Sequence, residues 1–378
     1  MIAVTLLLVV TGVYVILIES FVSGFNKVTE FIVPQEQSDA RFSIVVPFRN
    51  EATRLPHLLD SIRKLSYVKN QYEFIFVDDE STDNSIEIIH EHLSETSISY
   101  LVIANNRCSN SPKKDAIVAA IEKAQFEWII TSDADCILPE HWLSNFGTFS
   151  SMHNSKMIVG PVMYISEDFS FLEHFQILDF LSLQGATIGG FGINKPFLCN
   201  GANLAYKKND FLELGGFQGN DAIASGDDIF LFENFYKAYP NDVHFLKSKS
   251  AIVTTHAVKT WKDLVHQRMR WAAKSSSYDL WFGKLVGFIV LLMNLSLLIS
   301  LIMVFVSIKN SPYFIFSFGL KKVIDATLIY RTSHFYRGKN KKVRDFIFGS
   351  LLYPFFSSYI VLKTLTSSYN WKGRKFKK

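Results

Sequence analysis

Two aspartates one residue apart, Asp133 and Asp135, directly follow the apolar run Trp128 to Ile130. Such a run reads as the end of a buried strand, which sets two hard oxygen ligands at a strand's carboxyl edge. In open α/β sheets the crevice beyond that edge takes ligands, and an Asp-x-Asp there can hold a divalent cation that also touches phosphate oxygens. The same residues equally suit a turn in which Asp accepts backbone hydrogen bonds. A second acidic pair, Asp227 and Asp228, follows Gly226 and enters an apolar run at Ile229. Asp at a helix start can be a cap; near a cleft it can be the general base for a hydroxyl nucleophile. Further on, Gln267-Arg268-Met269-Arg270-Trp271 lies in a helical stretch, Trp261 to Lys274. Arg270 can fork onto phosphate oxygens and Trp271 offers a flat apolar face, although a basic amphipathic helix against lipid headgroups has the same look.

The elements that must position these residues alternate. From Arg41 the pattern predicts strands at Phe42 to Val46, Phe74 to Val77, Tyr100 to Ile103 and Trp128 to Ile130. Helical spacing fills the gaps at Asn50 to Leu65, Ser85 to Leu93 and about Lys114 to Ala124. That rhythm argues for a parallel sheet covered by helices, a nucleotide-binding architecture. Neither Gly-x-Gly-x-x-Gly nor Gly-x-x-x-x-Gly-Lys-Ser/Thr occurs, so phosphate must be held another way, and a metal on Asp-x-Asp is the candidate. Between Asp168 and Gly192, Phe171, Leu172, Phe175, Leu178 and Leu181 share a helical face, which suits a core helix or one lying on a bilayer. The glycines from Gly185 to Gly192 suit a turn or a flexible loop over a site.

Composition adds a membrane. Of 378 residues, 48% are hydrophobic and 15% aromatic, with the excess at the two ends. Ile2 to Ile18, extended by Phe21 to Phe25, is long enough to span a bilayer and lacks the basic start and cleavage site of a signal peptide, so residues 1–25 read as an uncleaved anchor. Basic residues from Lys27 onward follow the span and none precede it, which puts the amino end outside and the next domain in the cytoplasm. Residues 284–366 read as a membrane region of two or three helices: Leu285 to Ile308, a weaker Tyr313 to Tyr330 carrying Lys321, Lys322 and Asp325, and Phe346 to Leu362 with Pro354. The basic run Arg331 to Arg344 and the basic tail 367–378, with Lys372, Arg374, Lys375, Lys377 and Lys378, are expected on the cytoplasmic side. A last stretch that is re-entrant, or a failed Tyr313 to Tyr330 span, reconciles these sides. The net charge of +4 is modest and no nucleic-acid motif is present. Three cysteines, Cys108, Cys136 and Cys199, lack metal-site spacing and suggest a reducing compartment.

Six ordered motifs between Phe42 and Trp271 resemble membrane-bound glycosyltransferases of family 2: Val45-Val46-Pro47-Phe48-Arg49-Asn50-Glu51, Val77-Asp78-Asp79-Glu80-Ser81, Lys113-Lys114-Asp115-Ala116, Asp133-Ala134-Asp135, Gly226-Asp227-Asp228 and Gln267-x-x-Arg270-Trp271. The resemblance implies a GT-A fold, a Rossmann-like mixed sheet with helices on both faces, over residues 40–275, between amino- and carboxyl-terminal membrane helices. It implies that Asp79, beside Asp78, holds the base of a nucleotide diphosphate, usually uridine, that Pro47, Asn50 and Glu51 wall the nucleotide, and that Lys113 meets the diphosphate. Asp133 would sit near ribose and phosphate while Asp135 ligates Mg2+ or Mn2+; Asp228, with Asp227 beside it, would be the base. Gln267, Arg270 and Trp271 would hold the diphosphate and the acceptor end. Two positions depart from the pattern: Pro112 where many relatives have Gly, and Asp227 where many have Glu.

The expected function is inverting, metal-dependent transfer of a sugar from a nucleotide donor to a lipid, lipid-linked or glycan acceptor at the cytoplasmic membrane. A single base with no opposing nucleophile suits one in-line displacement. A processive polysaccharide synthase of the same family, a catalytically silent membrane scaffold, and a nucleotidyl or phosphosugar transferase are the alternatives. Three intact acids, Asp133, Asp135 and Asp228, speak against the scaffold.

Overall fold

The computed structural model describes residues 2–33, 38–165, 170–218, 226–275, 279–337, 346–366, 369–371 and 374–376. Helix α1 (Ile2–Lys27) opens the chain. Strands β1 (Phe42–Phe48) and β2 (Tyr72–Asp78) are built from aromatic and β-branched residues, and β2 is buried on both faces from Tyr72 to Val77, as a central parallel strand requires. Between them α2 (Leu55–Arg63) buries Leu55, Leu58, Leu59 and Ile62, one helical face, behind a proline in its first turn. Then follow α3 (Ser85–Leu93), β3 (Ser99–Ala104), α4 (Pro112–Lys123), β4 (Trp128–Thr131), α5 (Trp142–His153), β5 (Met157–Val159) and β6 (Val162–Ile165). Pro112 stands at the start of α4, where a missing N–H costs nothing. Helix α6 (Phe171–Gly192) is capped by Ser170, whose hydroxyl accepts from the Glu173 N–H.

The remaining elements are β7 (Leu204–Lys207), α7 (Lys208–Glu213), α8 (Asp227–Ala238), β8 (Val243–Phe245), β9 (Val253–His256), α9 (Trp261–Ser275), α10 (Trp281–Val306), α11 (Ser311–Arg337), α12 (Phe346–Thr366) and the antiparallel pair β10 (Tyr369–Trp371) and β11 (Arg374–Phe376). Ser225, Asp168, residues 338–344 of the basic run, and Lys372, Lys377 and Lys378 of the tail lie outside the described residues.

The chain divides into two compact units. One, residues 29–165 and 199–256, carries a seven-stranded sheet of order β3-β2-β1-β4-β7-β5-β8. β3, β2, β1 and β4 are mutually parallel, while β7 runs antiparallel to both β4 and β5, so the sheet is mixed where strand–helix alternation alone suggested parallel. β6 pairs with β9 in a separate two-stranded sheet. Phe42, Phe74, Phe76, Tyr72 and Trp142 are fully buried here, each worth about 2–3 kcal/mol by transfer from water.

The other unit, residues 1–28, 166–198 and 257–378, is helical but for the β10–β11 pair, and the stretch 40–275 contributes to both units. Helices α1, α10 and α12 are long and apolar enough to cross a membrane; α11, which contains the expected weak span, is not among them. The Gly185 to Gly192 stretch is not a loop but the last two turns of α6, and its glycines let helices touch. A Cβ on Gly189 would lie 2.5 Å from the Phe21 carbonyl oxygen, one on Gly24 would lie 2.1 Å from that of Gly189, and one on Gly185 would meet the Thr332 hydroxyl at 2.4 Å. Close backbone approach, rather than freedom of φ, is what these positions need. Nearby, the Tyr14 hydroxyl donates to Asp325 at 2.6 Å, and Asp325 also pairs with Lys321, whose ammonium lies 5.1 Å from the Tyr14 ring centroid. Two of the three charges in the weaker Tyr313 to Tyr330 stretch, Lys321 and Asp325, thus neutralise each other inside the unit.

Candidate active site

Parallel strands β1 to β4 end on one edge of the sheet, and β7, being antiparallel, begins on it. Loops after β1, β2, β3 and β4 and the turn before β7 therefore converge, and the crevice opens where the chain leaves β1 for β2 on one side and β4 on the other.

On the β1–β2 side the loops are cross-linked. The Asp79 N–H donates to the Phe48 carbonyl at 2.9 Å, and Arg49 donates to the Asp79 and Glu80 carbonyls. Asn50 and Glu80 both take left-handed backbone (φ 51° and 61°), a conformation that Asn tolerates well and Glu less so. Asn50 is held there by its carboxamide oxygen, which accepts from the Thr82 N–H at 2.7 Å, and by its own N–H to the Ser81 hydroxyl at 3.0 Å. Asp78 accepts from the Ser81 N–H at 3.0 Å and so closes the turn. Asp79 is buried; its carboxylate accepts from the Asn105 amide at 2.9 Å and lies 3.8 Å from Arg107. Glu51 is also buried, with its N–H on the Ser85 hydroxyl at 3.0 Å, and Pro47 stands beside Val77 in the sheet. Burial works to raise the Asp83 carboxyl, but hydrogen bonds from Ser85 and the Ala52 N–H outweigh it and hold it below its ordinary value.

On the β4 side Lys113 bridges two acidic pairs. Its ammonium lies 2.7 Å from Asp133 and 3.1 Å from Asp227. Burial alone would lower its pKa; Asp133 first, then Asp227 and Asp228, reverse that and hold it well above the ordinary value, so it is a permanent cation. Asp227 and Asp228 occupy the first turn of α8 behind Gly226, whose φ of 89° suits glycine. Asp228 accepts from the Ile229 N–H at 2.8 Å and, more weakly, from the Gly201 N–H at 3.4 Å. A Cβ on Gly201 would sit 3.2 Å from both Asp227 and Asp228, so a side chain in the turn before β7 would press on both acids. The Thr131 hydroxyl, donating to the Gly201 carbonyl at 2.8 Å, fixes that turn to β4.

Asp135 pairs with Arg54 at 3.3 Å across the β1–β4 crevice. Ligand atoms of Asp133, Asp135 and Cys136 all lie within 4.8 Å of one another, so the two carboxylates could supply two oxygen ligands to a hard divalent ion. Burial, then Asp135 and Asp133, push the Cys136 thiol well above its ordinary value, which makes it a protonated neighbour of that group. All three cysteines are free.

The site residues expected in the sheet, Pro47, Asn50, Glu51, Asp78, Asp79, Lys113, Asp133, Asp135, Asp227 and Asp228, thus share one unit and one edge of it. Gln267, Arg270 and Trp271, half-buried on α9, belong to the helical unit. Sequence reasoning passed over Arg54, Asn105, Arg107 and Tyr206. The first three follow strand ends, a signal that was available. Tyr206 gave none: it is a fully buried strand residue whose hydroxyl is raised by burial and then by Asp227.

The mixed seven-stranded sheet, with its acidic residues along one edge, has the GT-A fold. Residues 43–214, a little under half of the chain, match the profile of glycosyl transferase family 2. It is 24% identical to a probable glycosyltransferase, YdaM, of Bacillus subtilis (strain 168) over 235 residues, 61% of this chain and 54% of that protein. Over 96 residues, 25% of this chain and 29% of the other, it is 35% identical to the undecaprenyl-phosphate 4-deoxy-4-formamido-L-arabinose transferase of Proteus mirabilis (strain HI4320). The chain therefore spans about half the length of the first relative and under a third of the second. Among solved structures, the mannosyltransferase PcManGT from Pyrobaculum calidifontis in complex with GDP-Man and Mn2+ superposes with a TM-score of 0.58 at 14% identity, over 88% of this chain and 98% of that one, a likeness of fold.

Proposed function

We propose that this chain is an inverting, metal-dependent glycosyltransferase that moves a sugar from a nucleoside diphosphate donor, with uridine the favoured base, to a lipid, lipid-linked or glycan acceptor at the cytoplasmic face of a membrane. The observation that carries the reading is the Lys113 bridge, which joins Asp133 of the Asp-x-Asp pair to Asp227 of the second pair through one cation. Donor end and acceptor end of a displacement are thereby within one side chain's reach. A departing diphosphate brings negative charge to that place, and Lys113, exchanging a carboxylate for a phosphate oxygen, stabilises it without reorganising the fold.

Asp133 and Asp135 would hold Mg2+ or Mn2+, which when bound supplies further charge neutralisation at the diphosphate. Asp79 takes the base, with Asp78 closing the turn beside it and Pro47, Asn50 and Glu51 shaping the wall. Asp228 accepts the acceptor hydroxyl's proton; no second carboxylate is needed as nucleophile, hence inversion. The same reading gives Gln267, Arg270 and Trp271 to the diphosphate and the acceptor. The membrane acceptor is supported by α1, α10 and α12, each able to span, and by the relative whose name specifies undecaprenyl phosphate.

The test is nucleoside diphosphate release by the detergent-solubilised chain with Mn2+, against a panel of sugar nucleotides with and without membrane lipid. Activity that is lipid-dependent, and lost in Asp135→Ala and Asp228→Asn, is expected. Unchanged activity in both variants removes the mechanism, pyrophosphate as the product assigns the chain to nucleotidyl transfer, and an α-linked product from an α-linked donor overturns inversion.

A further inference from the structure

Within the helical unit, α9 carries the Gln267-x-x-Arg270-Trp271 motif, and the residue inside that motif which family resemblance leaves without a role is Arg268. It is buried, at 7% exposure, and its Nε donates to the Asp179 carboxylate at 2.6 Å; Asp179 is equally buried, on α6. A second nitrogen, Nη1, donates to the Gln267 side-chain oxygen, and the guanidinium carbon lies over the Trp271 ring, 4.1 Å from its centroid. Phe180, next to Asp179, meets that ring at 6.4 Å and 44°. Three positions earlier on α6, Gln176 grips the chain leading into α9 by both sides of its amide, accepting from the Val258 N–H at 3.0 Å and donating to the Val258 carbonyl at 2.9 Å.

We propose that Asp179 and Arg268 are positioning residues of the transfer site, a buried pair that sets the orientation of Gln267 and Trp271; the inference rests on the transferase reading. Arginine has donors only, so the Gln267 amide must turn its oxygen to Arg268 and its NH2 group the other way. What the amide then has left to offer is a donor, the polarity that a phosphate or hydroxyl oxygen requires. Trp271, covered on one face by the guanidinium and flanked by Phe180, keeps a single ring orientation. Stability alone is a poor reason for the pair, because two buried charges are commonly no better than well-packed apolar residues of the same volume. Orientation is a better one: a fork that touches Asp179, Gln267 and Trp271 together fixes all three.

The test uses the full chain in detergent and four variants: Asp179→Asn, Arg268→Lys, Gln267→Leu, and Asp179→Asn combined with Gln267→Leu. Asp179→Asn is expected to lower kcat for nucleoside diphosphate release about tenfold or more, with the donor KM within about twofold, because misplaced groups cost turnover before affinity. The double variant is expected to fall no further than Gln267→Leu alone. Losses that multiply, or an unchanged kcat in Asp179→Asn, overturn the proposal. Should Asp179→Asn fail to fold, Arg268→Lys keeps both charges but cannot fork, and the same loss of kcat is expected; full activity in it overturns the proposal. A wild-type chain that releases no nucleoside diphosphate from any donor removes the transferase reading instead. The emission of Trp271, taken as the difference between each protein and its Trp271→Phe counterpart, then still tests the pair: a shift in Asp179→Asn is expected, and an unshifted spectrum overturns it.

Discussion

At the rim of the sheet, Lys113 meets Asp133 at 2.7 Å with 40% of the Asp133 side chain exposed, whereas among the helices Arg268 meets Asp179 at 2.6 Å with 7% of each exposed. The two ion pairs are alike in length and opposite in use. Water reaches the first, so its partners can be traded for an incoming anion at little cost. The second cannot be opened without stranding a charge, which costs several kcal/mol. Glycine divides the same way. At the rim Gly201 clears space for two carboxylates, while in the helical unit Gly24, Gly185 and Gly189 clear space for neighbouring helices. Reactive groups thus lie where rearrangement is cheap, and rigid groups where it is not.

The comparison breaks or sharpens by experiment. Lys113→Met is expected to cut nucleoside diphosphate release by about 10²–10³-fold, the usual cost of losing one electrostatic stabiliser, while the melting temperature in detergent holds. A large fall in melting temperature would show the rim to be structural too. Gly189→Leu should do the reverse, because its first added atom already falls 2.5 Å from the Phe21 carbonyl oxygen. About 3 kcal/mol or the folded protein itself should be lost, read by thermal unfolding; a well-folded Gly189→Leu would deny the close helix crossing. Tyr14→Phe removes the 2.6 Å bond to Asp325 but leaves Lys321 to compensate, so a loss of about 1–2 kcal/mol with turnover retained is expected.

The smallest effect concerns a buried cation in the sheet unit. Lys247 is lowered from 10.5 to about 8 by burial and, less, by Lys249, against the pull of Glu30. The folded state disfavours its charged form, so between about pH 8 and 10.5 the unfolded chain binds more protons and stability rises with pH. Lys247→Met should flatten that rise in a denaturant series taken across the window; an unaltered slope would assign the rise to other groups.

The strands and the rim were largely legible because each motif is local. A buried run reveals a strand by its own composition, and the polar residues just after it must lie at the sheet's edge, which is how Asp79, Asp133 and Asp135 could be found together. Helix α3 falls at Ser85 to Leu93 as its spacing says. The glycines of α6 misled because glycine signals backbone freedom and close approach with the same letter. Mixed rather than parallel pairing was hidden from the alternation of strands and helices, and only the family resemblance implied it, since the direction of β7 depends on which edge of β4 it meets.

By itself the sequence determined which residues could do chemistry, the order in which strands deliver them, and which segments are apolar enough to cross a membrane. These depend on composition and on neighbours within a few residues. Tertiary structure alone decided the partners: that Lys113 spans Asp133 and Asp227, that Asp179 and Arg268, 89 positions apart, share a hydrogen bond, and that Lys321 and Asp325 settle on Tyr14. A charge takes whichever opposite group the folded chain brings near, and that distance in space is not written in the distance along the chain.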